Sequence, residues 1–591
     1  MRGMQVDTDY KALDISLLKR LLEYLKPYKI YVFLAIFLTL FTTSLAPLRP
    51  YLTKVAIDDH ISRSDWNGLL YMILLILAVI IVYALLQYLL NYLLQWIGQK
   101  VLYDIRIKLF RHIQSLSLRF YDKNPVGRMV TRVTNDVEAL NNLFSSGVIN
   151  IIADFLLLFW IIGFMLFINA ELTLYALAIL PVVVAVTFFF KTRVRNIFRK
   201  IRANLSVMNS FLNEFISGIM TIKLFGQEKN QNERFDSINR ERRDLLIKAI
   251  FYYALFFPFI EMSNTIGIGI VLWYSAENII SGIMTVGTLI AFLQYAEMLF
   301  RPIRDLSEKY TTLQSAMAAS ERIFGFLDTE DFIEDNKNAR DLKKIKEIIE
   351  FRDLSFSYDD SKWALKNVSF DVEKGSTVAI VGPTGSGKTT LVSLLCRFYD
   401  FHHGDIKIDG TSIKDIKQDS LLSNIALVMQ DVFLFSRDIR SNISLGNDCI
   451  DDEKIRKAAK ELGALPFIEK LNGGFSSELN ERGSSLSSGQ RQLISFCRAY
   501  SSDPNLLILD EATSNVDSET EHIIEKALSK LLENRTSIII AHRLSTIKRA
   551  DKIVVLHKGR VREIGTHDEL VQRKGIYANL YSLQFKQDTM V

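Results

Sequence analysis

Cysteine is nearly missing from this chain. Only Cys396, Cys449 and Cys497 occur in 591 residues, all in the second half. An odd, scattered set excludes a disulfide framework and fits a reducing compartment. A strong charge of one sign is missing too: a net +5 is small for this length and argues against a nucleic-acid partner. No cleavable signal peptide is visible, because about 28 mostly polar residues precede the first apolar run. Apolar residues, by contrast, make up 49% of the chain. They concentrate before about residue 300, and charge and turn residues dominate afterwards. A chain this long exceeds one ordinary core, so the shift predicts a membrane half followed by a soluble half.

Six apolar stretches are long enough to cross roughly 30 Å of hydrocarbon. They are expected near 29–52, 67–96, 145–168, 171–192, 248–274 and 277–300, within a transmembrane domain over 29–325. The third and fourth are separated only by Asn-Ala-Glu-Leu and read as a tight hairpin. The segment 98–144 carries eight Lys and Arg residues, and the segment after the fourth span carries more. By the excess of positive charge on the inner side, both long basic segments and both termini are expected in the cytoplasm of a bacterial-type plasma membrane. The stretch before the first span, within 1–28, reads as an amphipathic helix on the inner surface. Asp154, Glu261 and Glu297, with Asn264 and Gln294 nearby, fall inside spans. A charge at that depth is costly; these residues read either as a substrate path or as helix-to-helix contacts.

After a polar linker over 326–347, short β-branched runs alternate with turns. The run Thr-Val-Ala-Ile-Val-Gly-Pro-Thr-Gly-Ser-Gly-Lys-Thr-Thr, 377–390, is a strand, a glycine loop and the start of a helix, the context a Walker A motif requires. Gly382, Thr384, Gly385, Ser386 and Gly387 are placed to close around phosphate oxygens. Lys388 would reach the β- and γ-phosphates, Thr389 would offer a hydroxyl to Mg²⁺, and Thr390 completes the site. About 120 residues on, an apolar strand ends in Asp510 and Glu511. Asp510 is placed to hold Mg²⁺, and Glu511 to accept a proton from an attacking water. Farther back in the chain, Ser-Ser-Leu-Ser-Ser-Gly-Gln-Arg-Gln, 484–492, is a turn-like run entering a helix, a place suited to an anion.

Together these stretches resemble the exporter type of ABC transporter, over almost the whole chain, with an α/β nucleotide-binding domain over 348–591. The resemblance implies an all-α membrane domain whose spans extend well outside the bilayer. It further implies that Tyr358 stacks on adenine and that Gln430 contacts Mg²⁺ and links to the membrane domain. Asp517 and His542 would then be the D-loop aspartate and the switch histidine, and Glu478 would lie in a loop touching coupling helices. Segments 120–137 and 213–229 resemble those coupling regions. Ser487, Gly489 and Gln490 fall in the signature motif, which in the family covers ATP bound by a second nucleotide domain. The chain is therefore expected to be half of a dimer that hydrolyses ATP with Mg²⁺ and exports amphiphilic drug-like or lipidic substrates.

Ser488 departs from the family, which has glycine there. A side chain, or a lost option of positive φ, could cost on the order of 1–3 kcal/mol. With Glu511 and His542 present, this pattern resembles the catalytically intact subunit of heterodimeric exporters. A homodimeric lipid flippase and an ATP-gated channel or regulator are the alternatives. Against the channel stands the hydrolytic base, which gating by binding alone does not require.

Overall fold

The computed structural model describes residues 14–585, except 360, 511–517 and 542–543. The chain forms two compact units. One comprises residues up to 114 together with 126–329; the other comprises 330 onward together with the short internal segment Ser115–Pro125.

The first unit is helical throughout. An amphipathic helix, Ile15–Glu23, is capped by Asp14, whose carboxylate accepts from Ser16 N. Among the described residues, five helical stretches are long and apolar enough to cross a membrane: Lys26–Ile61, Trp66–Ser115, Val126–Ile168, Ala170–Ser217 and Glu228–Ile280. At 1.5 Å per residue, the 53-residue Glu228–Ile280 is about 80 Å long, more than twice a bilayer core. On Trp66–Ser115 the side chains of Leu70, Tyr71, Ile73 and Leu74 are exposed, as lipid-facing residues must be. The hairpin between the third and fourth stretches turns at Asn169, whose side chain caps the next helix through Leu172 N.

The sixth span starts later than the sequence predicts. Residues 277–280 complete the preceding helix, the chain turns at Gly282 (φ +71°), and Thr285 caps a new helix, Val286–Leu327. Its apolar part is only Val286–Leu299. Apolar Ile279, Ile280, Ile283 and Met284 on both sides of the turn hide it in a hydropathy pattern. The core of this unit gathers Ile161, Met165, Leu172, Val271, Phe292 and Tyr295. Among the polar residues of the spans, Asp154 pairs with Lys309. Glu261 and Glu297 are exposed, while Asn264 Oδ1 and Gln294 Oε1 are buried without a hydrogen-bond partner among the described residues. The aromatic run near 251–259 packs on the neighbouring helix: the Phe190 ring lies 5.6 Å from Phe256 and 5.9 Å from Phe259.

The second unit is built on a six-stranded sheet, ordered in space Arg560–Gly565, Lys552–His557, Thr377–Val381, Thr536–Ile540, Leu506–Asp510, Ile425–Val428. All neighbours are parallel except the edge hairpin Lys552–His557 with Arg560–Gly565. Both faces are covered. Ala379, Leu507 and Ile539 face one core, while Val378, Ile508 and Ile538 face the other. That accounts for strands that read as continuous apolar runs rather than alternating ones. A smaller antiparallel sheet packs Trp363–Glu373 and His403–Ile408 on either side of Ile348–Ser357.

Candidate nucleotide site

Parallel pairing fixes where the motif residues emerge. In the register Val428↔Leu509 and Asp510↔Ile540, neighbouring strands end together at one edge of the sheet. The glycine loop follows Val381, Gln430 follows Val428 by two residues, and Asp510 is itself a strand end. Carboxyl ends of parallel strands are where open α/β sheets bind ligands. Glu511, Asp517 and His542 lie outside the described residues.

The glycine loop is shaped for close approach. A Cβ on Gly382 would lie 2.1 Å from the carbonyl oxygen of Leu556. Gly387 caps the helix Lys388–Leu395 at φ +103°, where a side chain would also meet Leu365 at 2.6 Å. Lys388 is buried and folds back on the loop, its Nζ donating to the Gly382 carbonyl at 2.7 Å and the Pro383 carbonyl at 3.3 Å. Burial pushes its ammonium below the ordinary lysine range, and the charge of Asp510 works against that. Ser386 Oγ is buried, with no hydrogen-bond partner among the described residues. A concave loop with an orphaned hydroxyl and a desolvated cation fits a phosphate chain. Thr384, Gly385 and Thr389 are exposed on this loop and at the helix start; Thr390 is buried, and its hydroxyl accepts from Tyr358 at 3.2 Å. Tyr358, Gln430 and Glu478 are exposed.

The signature stretch opens a second helix, Ser488–Ser501. Ser487 is its N-cap, with Ser487 Oγ accepting from Gln490 N at 3.2 Å and Gln490 Oε1 accepting from Ser487 N at 3.0 Å. This reciprocal box holds the first turn. Ser488 is the first helical residue and has no positive φ. The expected loss of a left-handed option therefore does not arise. What distinguishes Ser488 from glycine is its side chain alone, and Gly489 beside it is buried.

Two residues near this site, Arg397 and Tyr399, carried no recognisable motif, and a third, Asp122, falls in the expected coupling region 120–137. Arg397 and Tyr399 follow the phosphate-loop helix directly in the run Arg-Phe-Tyr-Asp, and Asp122 lies in the segment grouped with this unit. For the first two, the only sequence signal was that run's place immediately after the helix.

Comparison with known proteins shows the family. Residues 32–303 match the family model for the ABC transporter transmembrane region, and residues 365–514 match the family model described as ABC transporter. An uncharacterized ABC transporter ATP-binding protein of Bacillus subtilis (strain 168), YknV, is 42% identical over 96% of this chain and 94% of its own length. The chain belongs to the ABC transporter family. An ATP-dependent lipid A-core flippase of Desulfotalea psychrophila is 38% identical to this ABC exporter, over 96% of this chain and 99% of the flippase. A putative multidrug export ATP-binding/permease protein of Staphylococcus aureus (strain NCTC 8325 / PS 47) is 40% identical over 96% of this chain and all of that protein. Among solved structures, a bacterial Atm1-family ABC exporter with ATP bound aligns with a TM-score of 0.76 at 28% identity, covering 94% of this chain and 98% of that one. The chain is thus an ABC exporter half-transporter, a membrane helical domain fused to an ATP-hydrolysing domain.

Proposed function

We propose that this half-transporter exports amphiphilic drug-like or lipidic molecules across a bacterial plasma membrane, as the hydrolytically intact member of a heterodimer. Its nucleotide domain would lie in the cytoplasm. The observation that carries the reading is the shared sheet edge from which the glycine loop, Asp510 and Gln430 all emerge. Lys388 would neutralise the β- and γ-phosphates, and the N–H groups of 382–389 would surround them. Thr389, Asp510 and Gln430 would hold Mg²⁺, which neutralises developing phosphate charge. Glu511 would take the proton of the attacking water, and His542 would hold the γ-phosphate.

The partner requirement rests on surfaces that a single chain leaves uncovered. In the helical unit Met220, Leu224 and Phe225 are exposed; in the nucleotide unit Met429, Phe433 and Phe435 are exposed. Exposed apolar clusters of this kind mark interaction sites, and a second half-transporter is the occupant that fits both. The named flippase supports a second reading, a homodimeric lipid flippase.

The test is to purify the tagged chain from its native membrane, identify what copurifies in stoichiometric amount, and reconstitute the complex in vesicles. ATP-dependent accumulation of Hoechst 33342 by a complex with a distinct half-transporter supports the proposal. A complex of identical chains that moves fluorescent phospholipid but not the dye supports the flippase.

A further inference from the structure

The far end of the first helical stretch, Lys26–Ile61, closes on the first turn of the helix Val286–Leu327. Residues 56–61, at that end, are wound as a π-helix, a form frequent at functional sites. Asp58 lies on it and reaches across. Its carboxylate accepts from the Thr285 hydroxyl at 2.6 Å and from Gly287 N at 2.9 Å. A carboxylate from one span thus caps the helix of another, where orphan N–H groups and the helix dipole favour negative charge. Gly287 is fitted to this contact. Its φ is not positive, yet a Cβ there would lie 2.5 Å from Asp58 Oδ1 and 2.7 Å from the Lys54 carbonyl oxygen. The glycine serves close approach, not backbone freedom. Farther along the same pair of helices, the Tyr295 hydroxyl donates to the Pro47 carbonyl at 2.7 Å, and Tyr295 is fully buried.

We infer that Asp58 is a latch on the outer mouth of the membrane domain, made while these two helices are closed on one another and broken when the mouth opens to discharge cargo. The inference rests on the export reading above, which sets the nucleotide domain in the cytoplasm and the Asp58 end of the spans outside. The contact is a latch and not a brace because both sides keep a partner after release. Asp58 retains Lys54, one turn earlier on its own stretch, at 3.1 Å. The helix retains Thr285, whose hydroxyl accepts from Thr288 N at 3.3 Å. Parting therefore strands neither a charge nor a helix end. The bond from Tyr295 to Pro47 is different: it is buried, and breaking it would leave polar groups without water to replace it. Gly287 and Tyr295 are eight residues apart, about 12 Å along the helix. The helices thus part at Asp58 and pivot at Tyr295.

Cross-linking the contact in the assembled full-length transporter tests this. Asp58→Cys and Thr285→Cys are introduced together in a Cys449→Ser background, which removes the exposed native thiol. A short bifunctional methanethiosulfonate joins the pair before reconstitution in vesicles, and dithiothreitol frees it. The cargo is whichever of Hoechst 33342 and fluorescent phospholipid the wild type moves. Cross-linking should cut ATP-dependent transport at least about tenfold, because a mouth held shut discharges nothing. Binding of a fluorescent ATP analogue should be unchanged, and dithiothreitol should restore transport. Each single-cysteine variant should respond to the reagent no more than the wild type does. Transport that continues at the same rate in the cross-linked protein overturns the inference. So does a pair that fails to cross-link, an arrest that dithiothreitol does not reverse, or an arrest that comes with lost ATP binding. An untreated pair that moves nothing while the wild type transports also overturns it, since the contact would then be a permanent brace. A wild type that moves neither cargo overturns the export reading itself, and this inference with it.

Discussion

Buried Arg397 donates to Asp335 at 2.7 Å, so the residue that follows the phosphate-loop helix grips the stretch of chain leading into the nucleotide domain. The same guanidinium donates to the carbonyls of Ile416 at 2.9 Å and Glu334 at 2.8 Å. Arg397→Ala removes three bonds and leaves two carbonyl oxygens without their donor. The expected loss is about 3 kcal/mol, discounted because Asp335 is itself partly exposed. Arg397→Lys should recover less than half of it, since an ammonium cannot reproduce the planar fork. Thermal unfolding of the nucleotide domain reads the effect, and a midpoint unchanged in Arg397→Ala would contradict it.

Asp409 organises the start of the small sheet. Its carboxylate accepts from the backbone N–H of Lys346 at 2.7 Å, Glu347 at 2.8 Å and Ile348 at 3.0 Å. Burial alone would push this carboxyl up, but the three donors together outweigh it and hold it below the ordinary aspartate range. A depressed folded value means the stabilisation is complete above the unfolded value near 4 and is lost as pH falls through the folded one. Urea midpoints of wild type and Asp409→Asn should therefore differ most at neutral pH and converge toward pH 3. A gap that stays constant with pH would rule out this role.

Lys388→Ala should weaken nucleotide binding itself, because the ammonium acts on ground-state phosphate charge. One charge-assisted bond of about 1.5–3 kcal/mol corresponds to roughly 10- to 100-fold in affinity. Equilibrium binding of a fluorescent ATP analogue to the full-length protein measures it, and unchanged affinity would remove Lys388 from the site.

Much of this was legible from residue order. The strand–glycine–helix run 377–390 reads directly, because positive-φ glycines and a continuous β-branched strand leave one local solution. The start of the sixth span does not read, because its turn is embedded in isoleucine and methionine and marked only by Gly282 and Thr285. Of the two costs expected at Ser488, a side chain or a lost left-handed option, the second does not arise. A glycine in a family motif suggests backbone freedom, but the Ser487–Gln490 capping box places position 488 in an ordinary helical turn. Arg397 looks like a surface charge in sequence, and Asp122 is one residue of an expected coupling region whose contact the pattern does not name. Their partners, Asp335 and Tyr399, lie 62 and 277 positions away, a separation no local pattern encodes.

Ser488→Gly separates the two assemblies. Because the backbone there is helical, the substitution should change stability by no more than about 1 kcal/mol. In a heterodimer whose partner lacks a hydrolytic base, Ser488 covers the weak site, and steady-state ATP hydrolysis should stay within about twofold. In a homodimer it covers both working sites, where one N–H contact to the transition state can be worth ~2–4 kcal/mol. A clear change in turnover with a single chain present would then favour identical subunits.

The most direct measurement is ATP turnover by the assembled transporter carrying Glu511→Gln, at saturating Mg²⁺ and ATP. Loss of the general base should lower turnover at least about a hundredfold while nucleotide binding persists, leaving the dimer trapped closed around it. Hydrolysis within twofold of the wild type would contradict the assignment of Glu511, and with it the reading of this chain as the hydrolytic half of an exporter.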